Sequence, residues 1–171
     1  MMIDKISIDR IKLAHPMLRE QLQNNFEYAS GLLPSNMCLR LTQVLRTFEE
    51  QNKLYEQGRS RLFDVNGKRL GVVTWAKAGT SYHNYGLAFD YCLLRDLDGN
   101  GTFETVDWNE RRYSVEIVKY FKSVGWQWGG DWPEPKTDRP HFQRTYGYPV
   151  RELFGKYMAS DFIEGTRYVK L

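Results

Sequence analysis

Two short stretches hold the residues whose types and spacing suit catalysis: Ser81-Tyr82-His83-Asn84-Tyr85-Gly86-Leu87-Ala88-Phe89-Asp90 and, further along, Asp138-Arg139-Pro140-His141. They contain two of the chain's three histidines, each with a carboxylate close by in sequence. A hydrolytic zinc takes three protein ligands from His and Asp or Glu and keeps a fourth position for water. His83, Asp90 and His141 supply that number. Asp138 is left over, and a carboxylate beside zinc-bound water is the general base that metal-assisted hydrolysis requires. Asp90 carries the strongest physical argument. It lies within Leu87 to Leu94, an apolar run after Gly86 that reads as a strand, where period two puts Ala88, Asp90 and Cys92 on one face and Leu87, Phe89 and Tyr91 on the other. An unpaired charge buried there costs on the order of 2 to 5 kcal/mol unless a metal or cation compensates.

These two motifs, Ser-x-His-x-x-Gly-x-Ala-x-Asp and Asp-x-Pro-His-Phe-Gln, resemble as a pair the zinc peptidases of the D-Ala-D-Ala carboxypeptidase and L-alanyl-D-glutamate endopeptidase family, over about Ile11 to Phe154. The resemblance implies an α+β fold, a small, mainly antiparallel sheet flanked by helices of the Hedgehog/DD-peptidase-like kind. It implies that His83, Asp90 and His141 bind zinc, that Asp138 is the base, and that Arg46 polarises the scissile carbonyl. Ser81 and Gln51 match polar positions near substrate. Asp138 with Pro140 is more like the endopeptidase branch of phage endolysins and small wall hydrolases than the carboxypeptidase branch, where many relatives carry Glu as base. The implied substrate is the peptidoglycan stem peptide. A D,D- or L,D-carboxypeptidase and a zinc-bearing binding module without catalysis remain the alternatives, and the latter should lack the base.

The elements that must position these residues follow from periodicity. Leu18, Leu22, Phe26 and Ala29 form the stripe of an amphipathic helix over His15 to Ala29, with Pro16 in its first turn and His15 in a capping or surface place. Cys38 to Arg46 reads as a strand ending at Arg46. Thr47 then caps a helix over Phe48 to Gln57, with Glu50 completing a capping box. Arg59 to Ala78 reads as loop with one short strand at Val72 to Trp75. Trp108 to Val124 has the period of a second long helix, and Tyr148 to Met158 of a terminal one. The aromatic, glycine-rich run Trp126 to Trp132 fits a cleft wall, with Trp128 against substrate, and fits a core strand equally well. Tyr168 to Leu171 reads as an edge strand.

The segment from Asp96 to Asp107 has two readings. Asp96, Asp98, Asn100, Glu104 and Asp107 fall at positions one, three, five, nine and twelve of a calcium loop with Gly101 at six, yet position twelve is Asp rather than Glu and no helix precedes. A hairpin turn accounts for the same Asp-Gly and Asn-Gly pairs. Length and composition set the remaining bounds. A chain of 171 residues, 42% hydrophobic, suits one catalytic domain spanning 1–171. A net charge of +3 gives no reason to expect nucleic acid. The sequence has no run of roughly 18 apolar residues, so no membrane insertion is expected. The start lacks a signal peptide, so synthesis in the cytoplasm and action on the cell wall, periplasmic or extracellular, are expected of a monomer. Cys38 and Cys92 are expected to be free, buried thiols.

Overall fold

The apolar run after Gly86 forms strand Ala88–Arg95 (β2), and the sheet is built around it. Strand Met37–Gln43 (β1) lies antiparallel along one edge of β2; along the other, Thr105–Asp107 (β3) pairs with its C-terminal half and His141–Gln143 (β5) with its N-terminal half, and Gln127–Trp128 (β4) extends the sheet from β5. Among the described residues five helices surround this antiparallel sheet: Lys5–Ile11 (α1), Arg19–Gly31 (α2), Phe48–Glu56 (α3), Arg112–Ser123 (α4) and Val150–Met158 (α5). The fold is α+β, as the resemblance implied. The computed structural model describes residues 3–107 and 112–171, the side chains of Arg112 and Tyr113 excepted.

Alternation along the strands separates a dry face from a chemical one. Leu39, Leu41, Phe89, Tyr91, Leu93 and Phe142 join the core with Leu22 and Phe26 of α2 and Ile117 and Phe121 of α4. The rings of Phe89 and Phe142 lie 5.2 Å apart, with Phe121 4.9 Å from Phe89. Burial of each such side chain contributes roughly 1.5–3 kcal/mol. That packing fixes which way the alternate residues point, so Cys38, Arg40, Asp90, Cys92, His141 and Gln143 share the opposite face.

The outer edge of β1 is covered by α1, which the sequence did not announce. Asp4 caps this short helix by accepting from the Ser7 amide at 3.0 Å and also pairs with Arg40 at 2.8 Å. The Leu41 amide donates to Ser7 Oγ at 2.8 Å, and Arg10 Nη1 donates to the Leu41 carbonyl at 2.5 Å. Edge groups that would otherwise recruit another strand are thereby satisfied.

Several boundaries differ from the expectation. β1 ends at Gln43, because the pairing with β2 shifts between Leu41 and Gln43, and Arg46 therefore stands in the link to α3. α2 begins at Arg19, preceded by a turn that contains Pro16. His15 is fully buried, with Nε2 2.8 Å from the Val169 carbonyl, and so ties the helix entrance to the C-terminal segment. Val72 to Trp75 forms no strand, since Phe63 and Arg69 make the local antiparallel bridge instead. α4 is described from Arg112, and the start expected at Trp108 lies outside the described residues. The capping box of α3 forms as read, and Val169 bridges Phe162 outside the main sheet.

Candidate metal centre

Strand register places two of the three ligands side by side. Asp90 on β2 and His141 on β5 are direct antiparallel partners, with both side chains on the chemical face. His83 arrives from a single 3₁₀ turn, Tyr82–Tyr85, which ends at Gly86 in the left-handed region (φ 68°). A Cβ at Gly86 would lie 2.6 Å from the His15 amide nitrogen, which donates to the Gly86 carbonyl, so only glycine allows this approach. The result is a tight triangle: His83 Nε2 to Asp90 Oδ1 3.1 Å, His141 Nδ1 to Asp90 Oδ1 3.0 Å, and the two ring nitrogens 3.1 Å apart. Among the described residues this is the one group of three or more such side chains whose ligand atoms converge.

Proton bookkeeping shows what the triangle lacks. His83 Nδ1 is 2.8 Å from the Val44 carbonyl, which can only accept, so the proton sits on Nδ1 and Nε2 keeps its lone pair. The Gln143 amide donates to Gln127 Oε1 at 3.0 Å and turns its own Oε1 to His141 Nε2 at 3.2 Å, which puts that ring's proton on Nε2 and frees Nδ1. Burial pushes the Asp90 carboxyl up, and positive charge at the two ring nitrogens beside it is what brings it well below the usual carboxylate range; with both rings neutral in these tautomers, a bound cation would supply that charge. Two ring lone pairs and an ionised oxygen thus meet at the bottom of a buried site, an arrangement that a cation stabilises. Ligands about 2.0–2.1 Å from a tetrahedral zinc stand about 3.3 Å apart, within a few tenths of an ångström of the edges seen here. The donor set therefore fits a metal, and each imidazole already has the outer hydrogen bond that orients a ligating histidine.

The other predicted residues divide into those beside the cluster and those that brace it. Arg46 Nη2 lies 3.4 Å from Asp90 Oδ2 and its Nη1 donates to Gln51 Oε1 at 3.0 Å, while its Nε is buried without a partner. Gln51 is fully buried, its amide divided between Arg46 and the Ala76 carbonyl at 2.7 Å, so it orients the guanidinium instead of meeting substrate. Asp138 stands on an exposed loop and gives no atom to the triangle. Desolvation and then the charge of Asp90 raise its carboxyl, against the opposing pull of His141, His83 and Arg46. Trp128 donates from Nε1 to the Arg139 carbonyl at 2.7 Å and so holds the loop leading to His141. Ser81 precedes the 3₁₀ turn, half-buried, with no side-chain capping bond.

Residues 74–144 match the family described as D-alanyl-D-alanine carboxypeptidase. The chain is 34% identical over 138 residues to a peptidoglycan L-alanyl-D-glutamate endopeptidase, CwlK, of Bacillus subtilis, covering 75% of this chain and 72% of that relative. The chain belongs to this peptidase family. An L-alanyl-D-glutamate peptidase of a Listeria phage is 36% identical over 78 residues, 44% of this chain and 25% of the phage protein, so the chain spans about a quarter of that relative's length. The chain is accordingly a metallopeptidase. The family match encloses all three converging ligands, Asp138 and Trp128, whereas Arg46 and Gln51 precede it.

Four features of this peptidase site were given no role of their own from the sequence. The Val44 carbonyl has no side-chain signal at all. Gln143, two residues after His141 and hence on the same strand face, was legible in principle. Gly129 accepts from the Asp138 amide at 2.9 Å, and a Cβ there would come within 2.4 Å of the Asp138 carbonyl oxygen. Trp132 packs its ring 5.1 Å from that of His141.

The remaining sequence candidates lie apart from the metal ligands. Asp96 accepts from the Gly99 and Gly101 amides at 2.8 and 2.9 Å, Asp98 from the Asn100 amide, and Thr102 donates its amide to Asn100 and its hydroxyl to Glu104, while Asp107 in β3 pairs with Arg95 at 2.5 Å. Cys38 and Cys92 are free and buried, as expected. Burial pushes the Cys38 thiol up to about 11 and raises Cys92 as well, the opposite of what a thiolate nucleophile needs. No helix among the described residues is long and apolar enough to cross a membrane.

Proposed function

We propose that this chain is a zinc-dependent endopeptidase that cleaves the L-alanyl-D-glutamate bond of peptidoglycan stem peptides, acting as one catalytic domain on the cell wall. The observation that carries the reading is the buried meeting of three acceptor atoms, two of them oriented by Val44 and Gln143, with Asp138 and Arg46 at its rim. His83, Asp90 and His141 hold the metal. When bound, zinc supplies Lewis acidity, lowering the pKa of water and polarising a carbonyl. Asp138 takes the proton of the attacking water and delivers it to the leaving amine, a task suited to a carboxyl held above its ordinary value. Arg46, locked by Gln51 and by the second oxygen of Asp90, faces the developing oxyanion with a charge that needs no reorganisation. Trp132 shields the His141 side of the site from water.

The L-alanyl-D-glutamate specificity in the names of both relatives supports the bond chosen, and the carboxypeptidase description of the family supports a D,D- or L,D-carboxypeptidase as the second reading. Mass spectrometry of digested muropeptides, with and without a chelator, separates them. Release of the stem beyond L-alanine, abolished by chelation and restored by zinc, is the expected result. Loss of one terminal D-alanine would replace the first reading by the second, and chelator-resistant cleavage would remove both.

A further inference from the structure

Charge and apolar exposure concentrate together on one arm that the peptidase reading does not use. Residues 59–77 carry five Lys and Arg against one Asp, net +4, whereas the whole chain is +3, so the rest of the molecule is slightly acidic. Within this arm the chain doubles back as a hairpin. The Leu70 amide donates to the Leu62 carbonyl at 2.8 Å, the Asp64 amide to the Lys68 carbonyl at 2.9 Å, and Phe63 faces Arg69 in an antiparallel bridge. Asp64 Oδ1 accepts from the Asn66 and Lys68 amides and so forms the turn, and the base is anchored by Arg59, which donates to the Tyr55 and Thr74 carbonyls at 2.6 and 2.9 Å.

Most of the large apolar side chains on this ribbon do not pack inward, while the exposed Arg61 guanidinium rests against α3, donating to the Lys53 carbonyl and Gln57 Oε1 at 3.3 Å. Leu62 is 44%, Phe63 57% and Val65 100% exposed, and Val72 and Val73 follow at 45% and 55%. Alternation puts Arg61, Phe63 and Val65 on one face, and Arg69, opposite Phe63, joins them there. Large apolar groups interleaved with cations on an exposed ribbon mark an interaction site. We propose that this hairpin docks peripherally on a membrane surface rich in anionic lipid, with Phe63 and Val65 among the acyl chains and Arg61 and Arg69 at the headgroups. A soluble polyanion would engage the cations and leave Phe63 and Val65 in water. A second copy of the chain would bring two like-charged arms together. Docking needs no metal and is measured apart from peptide cleavage.

The test is co-sedimentation with phosphatidylglycerol/phosphatidylcholine vesicles, with pure phosphatidylcholine vesicles and soluble poly(glycerol phosphate) as comparisons. The intact protein is expected to partition at least tenfold more strongly to the anionic vesicles, and this partition is expected to weaken at high salt. The double variants F63D/V65D and R61Q/R69Q should each lose at least tenfold in partition, with melting temperature and hydrolysis of a soluble muropeptide unchanged. Absence of partition to anionic vesicles, or partition unaffected by F63D/V65D, overturns the proposal. So does tight binding to poly(glycerol phosphate) that survives F63D/V65D.

Discussion

Replacing Gln143 by Leu should weaken metal binding without disturbing the fold, and the structure gives the size of the effect. Gln143 is buried, and its Oε1 is the acceptor that keeps the His141 proton on Nε2. With a metal on Nδ1 that proton has nowhere else to go, so loss of the acceptor leaves a buried donor unsatisfied at about 1–3 kcal/mol. Without metal the ring escapes this cost by shifting its proton to Nδ1, which lies 3.0 Å from Asp90 Oδ1. The penalty therefore falls on the metal-bound state alone, and zinc affinity should drop by roughly 5- to 150-fold, at about 1.4 kcal/mol per tenfold, a range that brackets the effect typical of outer-shell partners. Competition with a chromophoric chelator measures this directly. Gln143→Glu keeps an acceptor and should bind zinc at least as tightly as the parent. Unchanged affinity in Gln143→Leu, with an unchanged melting temperature, would refute the tautomer argument.

Further outcomes probe other parts of the site and its supports. Asp138→Ala should retain full zinc content by elemental analysis and lose about 100-fold or more in turnover; full activity would remove Asp138 as the base. Gly129→Ala must push the Asp138 carbonyl aside from a 2.4 Å approach, so calorimetry should show destabilisation of about 1–3 kcal/mol together with weaker zinc binding. Burial pushes Asp4 up, but Arg40 and Ser7 bring it below its usual value, so its contribution is present at neutral pH and is lost as pH falls below about 4. The stability deficit of Asp4→Asn in chemical denaturation, about 2 kcal/mol at pH 7, should accordingly shrink in acid. Calcium in the 96–107 loop would have to draw Asp107 from Arg95, and calorimetry on chelated protein should give no heat at millimolar calcium.

How much was legible depended on whether the signal lay in side chains or in backbone. Period two in β2 assigned Asp90 and Cys92 to one face and Phe89 and Tyr91 to the other, because burial of one face is a sequence-wide constraint. The capping box at Thr47 was equally legible, being made of two side chains at fixed spacing. α1 was not, since Ile8 and Ile11 make too short a stripe to announce a helix of seven residues, and the grip of Asp4 and Ser7 on β1 joins partners distant in sequence. Arg46 was placed at a strand end, but the extra residue at Thr42 breaks the ladder earlier, and such irregularities have no compositional mark. His15 was taken for a surface or capping group because its acceptor, the Val169 carbonyl, is distant in sequence. Gln51 was read toward substrate, when the polar position serves Arg46.

The direct apposition of Asp90 and His141 ties ion uptake to correct assembly. Were β5 to slip by a single position, His141 would swing to the oily side and the chelating trio would dissolve. Zinc content would therefore report whether β5 has docked in the right register.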